Sequence, residues 1–228
     1  MIQLYAQNVG ELIQTMTEER RQQMLSLLCV ERKMRVERIR IPAARDKEML
    51  AGIFLQNCLN LYCMERKGEP LESFGFACED GGKPYLPERE DIQFNLSHSG
   101  DWVVIAVGDS PVGIDVQQNQ KMEQCLKIAG RCFHPEEYQA LRRLEPEEIP
   151  GQFTVYWTMK EAYVKYTGKG LRTPLREVLV IPEENRAVKD SSVQFLRPAL
   201  AEDYSVALCC RKGEPVGKMV NYIERGFV

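Results

Sequence analysis

A carboxylate and an amide two residues apart, Asp115 and Gln117, lie in the apolar run "PVGIDVQ". Residues two apart share one face of a strand, so these side chains point one way while Ile114 and Val116 point the other. A carboxylate in such a run is costly to bury alone, and its partner is either a cationic side chain or a metal ion. A second pair, Glu161 and Lys165, stands four apart in "WTMKEAYVK", where a surface Glu-to-Lys pair on a helix contributes only about 0.2–0.5 kcal/mol. In "FNLSHSGDW", Asn95, Ser97, His98 and Ser99 follow an apolar strand. They read either as a polar turn bonding its own backbone or as an anion site of hydroxyls, imidazole and loop amides. Residues 31–47 hold seven basic and three acidic side chains, which makes them a solvated face or a dock for an anionic ligand. Nucleic acid is a poor fit, because the segment is short and lacks interleaved aromatics.

The elements that must position these groups follow from periodicity. "IQLYAQN" predicts a first strand, and Thr15 with Glu18 fits a capping box ahead of "RRQQMLSLLCV". "DKEMLAGIFLQNCLNLYCM" places Leu50, Ile53, Phe54, Cys58 and Leu61 at the spacing of a buried helix. "SFGFAC", "IQFNL" and "WVVIAV" predict short strands between Gly and Pro turns. The order then recurs: a strand in "VGIDVQ", helices in "KMEQCLKIA", "PEEYQALRRL" and "GQFTVYWTMKEAYVKY", and strands in "VLVI", "VQFL" and "SVALCC". Two similar α+β halves, 1–110 and 111–228, are expected to meet with a cleft between them. On the helix ending at Gly168, Met159, Ala162, Tyr163 and Tyr166 form one stripe, sufficient for docking on its own half. Trp157, Glu161, Val164 and Lys165 form a second face. A tryptophan there needs cover, so this face is expected to line the cleft. "TGKGLRT" follows a helix and lacks the spacing of a phosphate loop.

Length and composition set limits. The 228 residues carry a net charge of −3, with 44% hydrophobic and 28% charged residues, the balance of a soluble globular protein. No apolar run is long enough to span a bilayer, and the start has no signal-peptide pattern; the expected location is the cytoplasm. The eight cysteines include no C-x-x-C pair and accompany only two histidines. Reduced core residues are therefore favoured over a zinc site or disulfide framework.

"GGKPYLP", "FNLSHSGDW", "PVGIDVQ" and "WTMKEAYVKYTGKGL" together resemble the phosphopantetheinyl transferases of the surfactin-synthetase-activating (Sfp) type, over about residues 30–185. The resemblance implies two α+β halves related by a pseudo-twofold, with the active site between them. It implies transfer of phosphopantetheine from coenzyme A, with magnesium, to a serine of an apo acyl or peptidyl carrier protein, releasing adenosine 3',5'-bisphosphate. By position it makes Asp115 and Glu161 metal ligands, Glu161 also the general base, and Lys165 the lysine on the phosphates. It gives Ser97 and His98 phosphate contacts, Lys83 and Pro84 the turn beside the nucleotide, and Arg32, Arg35 and Lys47 the ribose phosphate. Gln117 stands where such proteins often carry a second acidic residue. An amide oxygen can ligate magnesium, or hold a ligating water, without adding charge. A monomer is expected, with no nucleic acid or membrane partner. The alternative is a non-catalytic coenzyme A or nucleotide-binding module of the same fold.

Overall fold

The computed structural model describes residues 1–71 and 74–221. In chain order its elements are β1 (Ile2–Asn8), α1 (Gly10–Gln14), α2 (Glu18–Leu27), α3 (Val30–Glu37), α4 (Pro42–Lys67), β2 (Ala77–Cys78), β3 (Pro84–Tyr85), β4 (Gln93–Ser99), β5 (Trp102–Gly108) and β6 (Val112–Gln118). There follow α5 (Met122–Cys132), α6 (Pro135–Leu141), α7 (Ile149–Thr167), β7 (Val180–Ile181), β8 (Arg186–Ala187), β9 (Val193–Leu196), β10 (Tyr204–Arg211) and β11 (Val216–Asn221). The fold is α+β. One sheet has the order β11-β1-β5-β4 and a second β6-β10-β9, beside two small hairpins. The last strand, β11, pairs parallel with β1, so the chain returns to the first sheet after building the second.

Strand alternation explains the near-continuous apolar runs. Tyr5, Val103, Ile105 and Val107 pack with α4 residues such as Leu50, Phe54 and Cys58 in a first core. The intervening Leu4, Ala6, Val104 and Ala106 meet Ile114, Val116, Val206 and Leu208 of the other sheet in a second. A third core lies around α7, with Met159, Ala162, Phe153, Ala207 and Cys209. Each central strand is thus buried on both faces, which calls for unbroken hydrophobic sequence.

Several expectations are corrected. Thr17, not Thr15, caps α2, accepting from the Arg20 amide at 3.2 Å; Thr15 instead donates to the Glu11 carbonyl at 2.9 Å. In "SFGFAC" only Ala77–Cys78 is strand. Phe74 stacks on Phe76, and Phe76 meets Phe94 edge-on; Ser73 lies outside the described residues. The "SHS" cluster is not a turn, because β4 runs on through Ser99. Short α1 and edge strand β11 have no clear periodic pattern and were not expected. The eight cysteines are all free thiols, and Cys58, Cys63, Cys125, Cys209 and Cys210 are buried.

Candidate active site

Three side chains of β4 join the two sheets where backbone pairing is absent. Asn95 Oδ1 accepts from the Ile114 amide at 2.9 Å. Ser97 Oγ donates to Asp115 Oδ1 at 2.7 Å, and Ser99 Oγ accepts from the Gln118 amide at 3.0 Å. Alternation puts residues 95, 97 and 99 on one face, and the nearly constant offset of their partners means β4 and β6 run in the same direction. The polar cluster is thus a seam between the two sheets, and its middle rung reaches the candidate catalytic carboxylate.

Asp115 is 5% exposed. Its face of β6 is turned toward α7, as Gly113 shows: a Cβ there would lie 2.1 Å from the Ala162 carbonyl and 2.4 Å from the Tyr166 nitrogen. Only a residue without a side chain permits that approach. Lys165 Nζ consequently reaches Asp115 Oδ1 at 2.6 Å and the Ile114 carbonyl at 3.2 Å. The other carboxylate oxygen, Oδ2, is buried with no hydrogen-bond partner. One helical turn from Lys165, Glu161 has its carboxyl pushed above the usual range, first by burial and then by the charge of Asp115, against the opposing pull of Lys165.

A cleft of about 450 Å³ brings together Arg32, Arg35, Lys83, Pro84, Ser97, His98, Glu161 and Lys165. Asp115 meets it through Ser97 and Lys165. Lys83 is half-buried, and partial loss of solvent pulls its ammonium below the usual lysine range; it donates to the Val112 carbonyl at 2.9 Å. The loop at Gly81 closes one side: a Cβ there would lie 1.9 Å from the Gly168 carbonyl. Gly168 itself ends α7 in the left-handed region at φ 68°, as a C-capping glycine should.

Three sequence expectations stand elsewhere. Lys47 does not line the cleft; its ammonium bonds the Gly100 carbonyl. Gln117 shares the Asp115 face, but its amide donates to the Gln118 carbonyl at 3.0 Å and does not line the cleft. Trp157 is covered by aromatic neighbours, with ring centroids 5.9 Å from Phe153 of its own helix and 6.3 Å from Phe133, while Glu161, Val164 and Lys165 face the cleft. One residue was missed. Glu48, 6% exposed, lines the cleft with its carboxylate 2.6 Å from Arg35 Nε and 3.4 Å from Arg32 Nη1. A glutamate just past the basic segment gave no signal beyond its place on the buried face of a helix.

Among the described residues no group of three or more His, Cys, Asp and Glu is placed to hold a metal ion. Two carboxylates nevertheless suit an oxygen-preferring cation that draws its remaining ligands from water and substrate. The unpartnered Asp115 Oδ2 and the Glu161 carboxyl, raised first by burial and then by the Asp115 charge, are both features a cation would relieve.

The N-terminal model of the 4'-phosphopantetheinyl transferases matches residues 15–110, and that of the 4'-phosphopantetheinyl transferase superfamily matches residues 111–209. The 4'-phosphopantetheinyl transferase psf-1 of Bacillus pumilus is 32% identical over 197 residues, covering 84% of this chain and 82% of that protein. The chain belongs to the 4'-phosphopantetheinyl transferase superfamily. The 4'-phosphopantetheinyl transferase Sfp of Bacillus subtilis strain 168 is 29% identical and spans 84% of this transferase and 83% of its own length. A further Bacillus subtilis 4'-phosphopantetheinyl transferase is 36% identical over 59% of this chain and 62% of that protein. The chain is accordingly an enzyme of phosphopantetheinyl transfer.

Proposed function

We propose that this enzyme moves the phosphopantetheine arm of coenzyme A, with magnesium, onto a serine hydroxyl of an apo acyl or peptidyl carrier protein. The observation that carries this reading is the single cleft shared by Glu161, Lys165, Ser97, His98, Arg32, Arg35 and Lys83, with Asp115 held by two of them. Residues 1–110 then supply the donor-binding groups, and residues 111–228 the carboxylates and lysine of the reaction. The partner is the carrier protein, the enzyme acts as a cytoplasmic monomer, and neither nucleic acid nor membrane takes part. Among the described residues no helix is long and apolar enough to cross a membrane.

The serine oxygen forms a bond to the phosphorus bearing pantetheine, and the bond from that phosphorus to the bridging oxygen breaks. Adenosine 3',5'-bisphosphate leaves with the bridging oxygen. The serine proton goes to Glu161, whose raised carboxyl is a stronger base than an ordinary glutamate. Lys165, a quarter exposed, presents its charge to the phosphate oxygens, and Asp115 fixes its direction. Asp115 Oδ2 and Glu161 would hold magnesium, which supplies neutralisation of the charge that develops on the phosphates. The rest is positioning, on which phosphoryl-type transfer mainly depends.

Incubation with coenzyme A, magnesium and a panel of apo carrier proteins, followed by mass measurement of the carriers, tests this. A phosphopantetheine adduct on one carrier serine is expected. Unmodified carriers throughout, under conditions where an active relative modifies them, would overturn the reading.

A further inference from the structure

The cations at the nucleotide end of the cleft already face an anion. Glu48 Oε1 lies 2.6 Å from Arg35 Nε and 3.4 Å from Arg32 Nη1, and Oε2 lies 3.7 Å from His98 Nε2. Burial alone would raise the Glu48 carboxyl, but the His98 imidazole and the charges of Arg35 and Arg32 outweigh it and leave it below the usual range. Glu48 is therefore ionised at neutral pH. Arg32 is itself buried and sits over the Phe76 ring at 5.1 Å, so it is held in this arrangement. The other lysines of the cleft have partners of their own, Lys83 with the Val112 carbonyl and Lys165 with Asp115.

A phosphate monoester on the donor's ribose carries about −1.5 to −2 charges near neutral pH, by analogy with phosphorylated side chains. Brought to Arg32, Arg35 and His98, it meets a carboxylate that competes for the same donors and repels it. A ribose hydroxyl in that place instead donates a hydrogen bond to the carboxylate. The same contrast separates the two nicotinamide dinucleotides, where an acidic side chain selects the ribose hydroxyl and an arginine accommodates the phosphate.

We propose that Glu48 is a specificity-determining residue that turns this donor site from the ribose phosphate toward the free ribose hydroxyl, so that dephospho-coenzyme A serves about as well as coenzyme A. This rests on the transferase reading above and alters only the choice of donor. The step balances as before, with adenosine 5'-monophosphate leaving in place of the bisphosphate.

The test compares kcat/KM for coenzyme A and dephospho-coenzyme A in the wild type and in Glu48→Gln. The wild type is expected to use the two donors within about tenfold of each other, since one charged contact is worth about one to two decades of affinity. Glu48→Gln is expected to raise the preference for coenzyme A at least about tenfold on the same basis. A wild-type preference for coenzyme A above tenfold, or an unchanged ratio in a folded Glu48→Gln, overturns the role of Glu48. Calorimetric titration of the wild type with adenosine 3',5'-bisphosphate and with adenosine 5'-monophosphate keeps the inference testable if the variant does not fold. Affinities within tenfold support it, and a larger preference for the bisphosphate overturns it. Failure of both donors to modify any carrier, with nucleotide binding intact, counts against the transferase reading and leaves the donor preference to the titration.

Discussion

Lys165 Nζ lies 2.6 Å from Asp115 Oδ1, while the opposite oxygen of that carboxylate is buried without a donor. One oxygen orients the lysine and the other is left available to a cation. Asp115→Asn keeps the shape but removes the charge that both tasks use. Turnover should fall by roughly 10²–10³-fold, the usual loss when one fixed electrostatic contact is removed. Circular dichroism should show the fold retained, since Lys165 is partly exposed and can turn to water. A variant within tenfold of wild-type turnover would show that neither oxygen matters to the reaction.

Glu161 couples activity and stability with opposite signs. Burial and the Asp115 charge raise its carboxyl, so the folded state binds the proton more tightly than the unfolded chain. Stability is then lost as pH rises from the unfolded value through the folded one, and the loss is complete above both. Glu161→Gln should abolish transfer yet melt higher than wild type at neutral pH, by about 2–4 °C for each kcal/mol relieved. The two proteins should melt together below about pH 4, where free glutamate is protonated. Melting curves at both pH values check this, and a variant that melts lower at neutral pH contradicts it.

The neighbouring Lys160 has a different task. Its ammonium, fully buried, lies 2.7 Å from Glu137 Oε2 and donates to the Leu175 carbonyl at 2.9 Å and also to that of Val178. It ties α7 to α6 and to the loop that brings Leu175 to the cleft. Breaking a buried pair by removing one partner typically costs about 3–5 kcal/mol. Lys160→Ala should lose stability of that order, and replacing both partners with apolar residues should recover much of it. Urea unfolding of the single and double variants decides; a single variant as stable as wild type would be incompatible with this role.

Gln117 is expected to matter little. Its amide is engaged with the Gln118 carbonyl, so Gln117→Ala should cost less than about tenfold in turnover, the loss of one neutral hydrogen bond. Asp115→Ala should cost far more. Gln117→Glu should tighten magnesium in the absence of donor, because it adds a negative charge to the Asp115 face. Magnesium titrations of the three variants, with and without donor, measure this. Equal damage from Gln117→Ala and Asp115→Ala would mean that the side chain turns into the cleft during reaction.

The central elements were legible because their patterns are strong. Burial on both faces gives β5 an unbroken apolar run, and Leu50, Ile53, Phe54 and Cys58 repeat at helical spacing along α4. What escaped depended on the partner across the fold. Nothing near Glu48 in sequence reveals that Arg32, Arg35 and His98 converge on it. Trp157 needed cover, as its face suggested, but Phe133 and Phe153 supply it within the core around α7. The "SHS" residues read as a turn or an anion site, not as strand, because polar side chains on a buried strand are recognisable only once β6 lies alongside.

The contact between Gly113 and α7 has a consequence for how this centre tolerates evolutionary change. Strand and helix touch there backbone to backbone, so the spacing of Asp115 from Glu161 and Lys165 is set by main-chain contact, which does not depend on the identity of surrounding side chains. Substitutions among Met159, Ala207 or Cys209 can alter the local volume while that spacing holds. The same arrangement leaves no slack for a single methyl at 113, whose carbon would lie 2.1 Å from the Ala162 carbonyl. The reaction centre is therefore insulated from ordinary core variation and exposed to failure at one glycine that carries no chemistry.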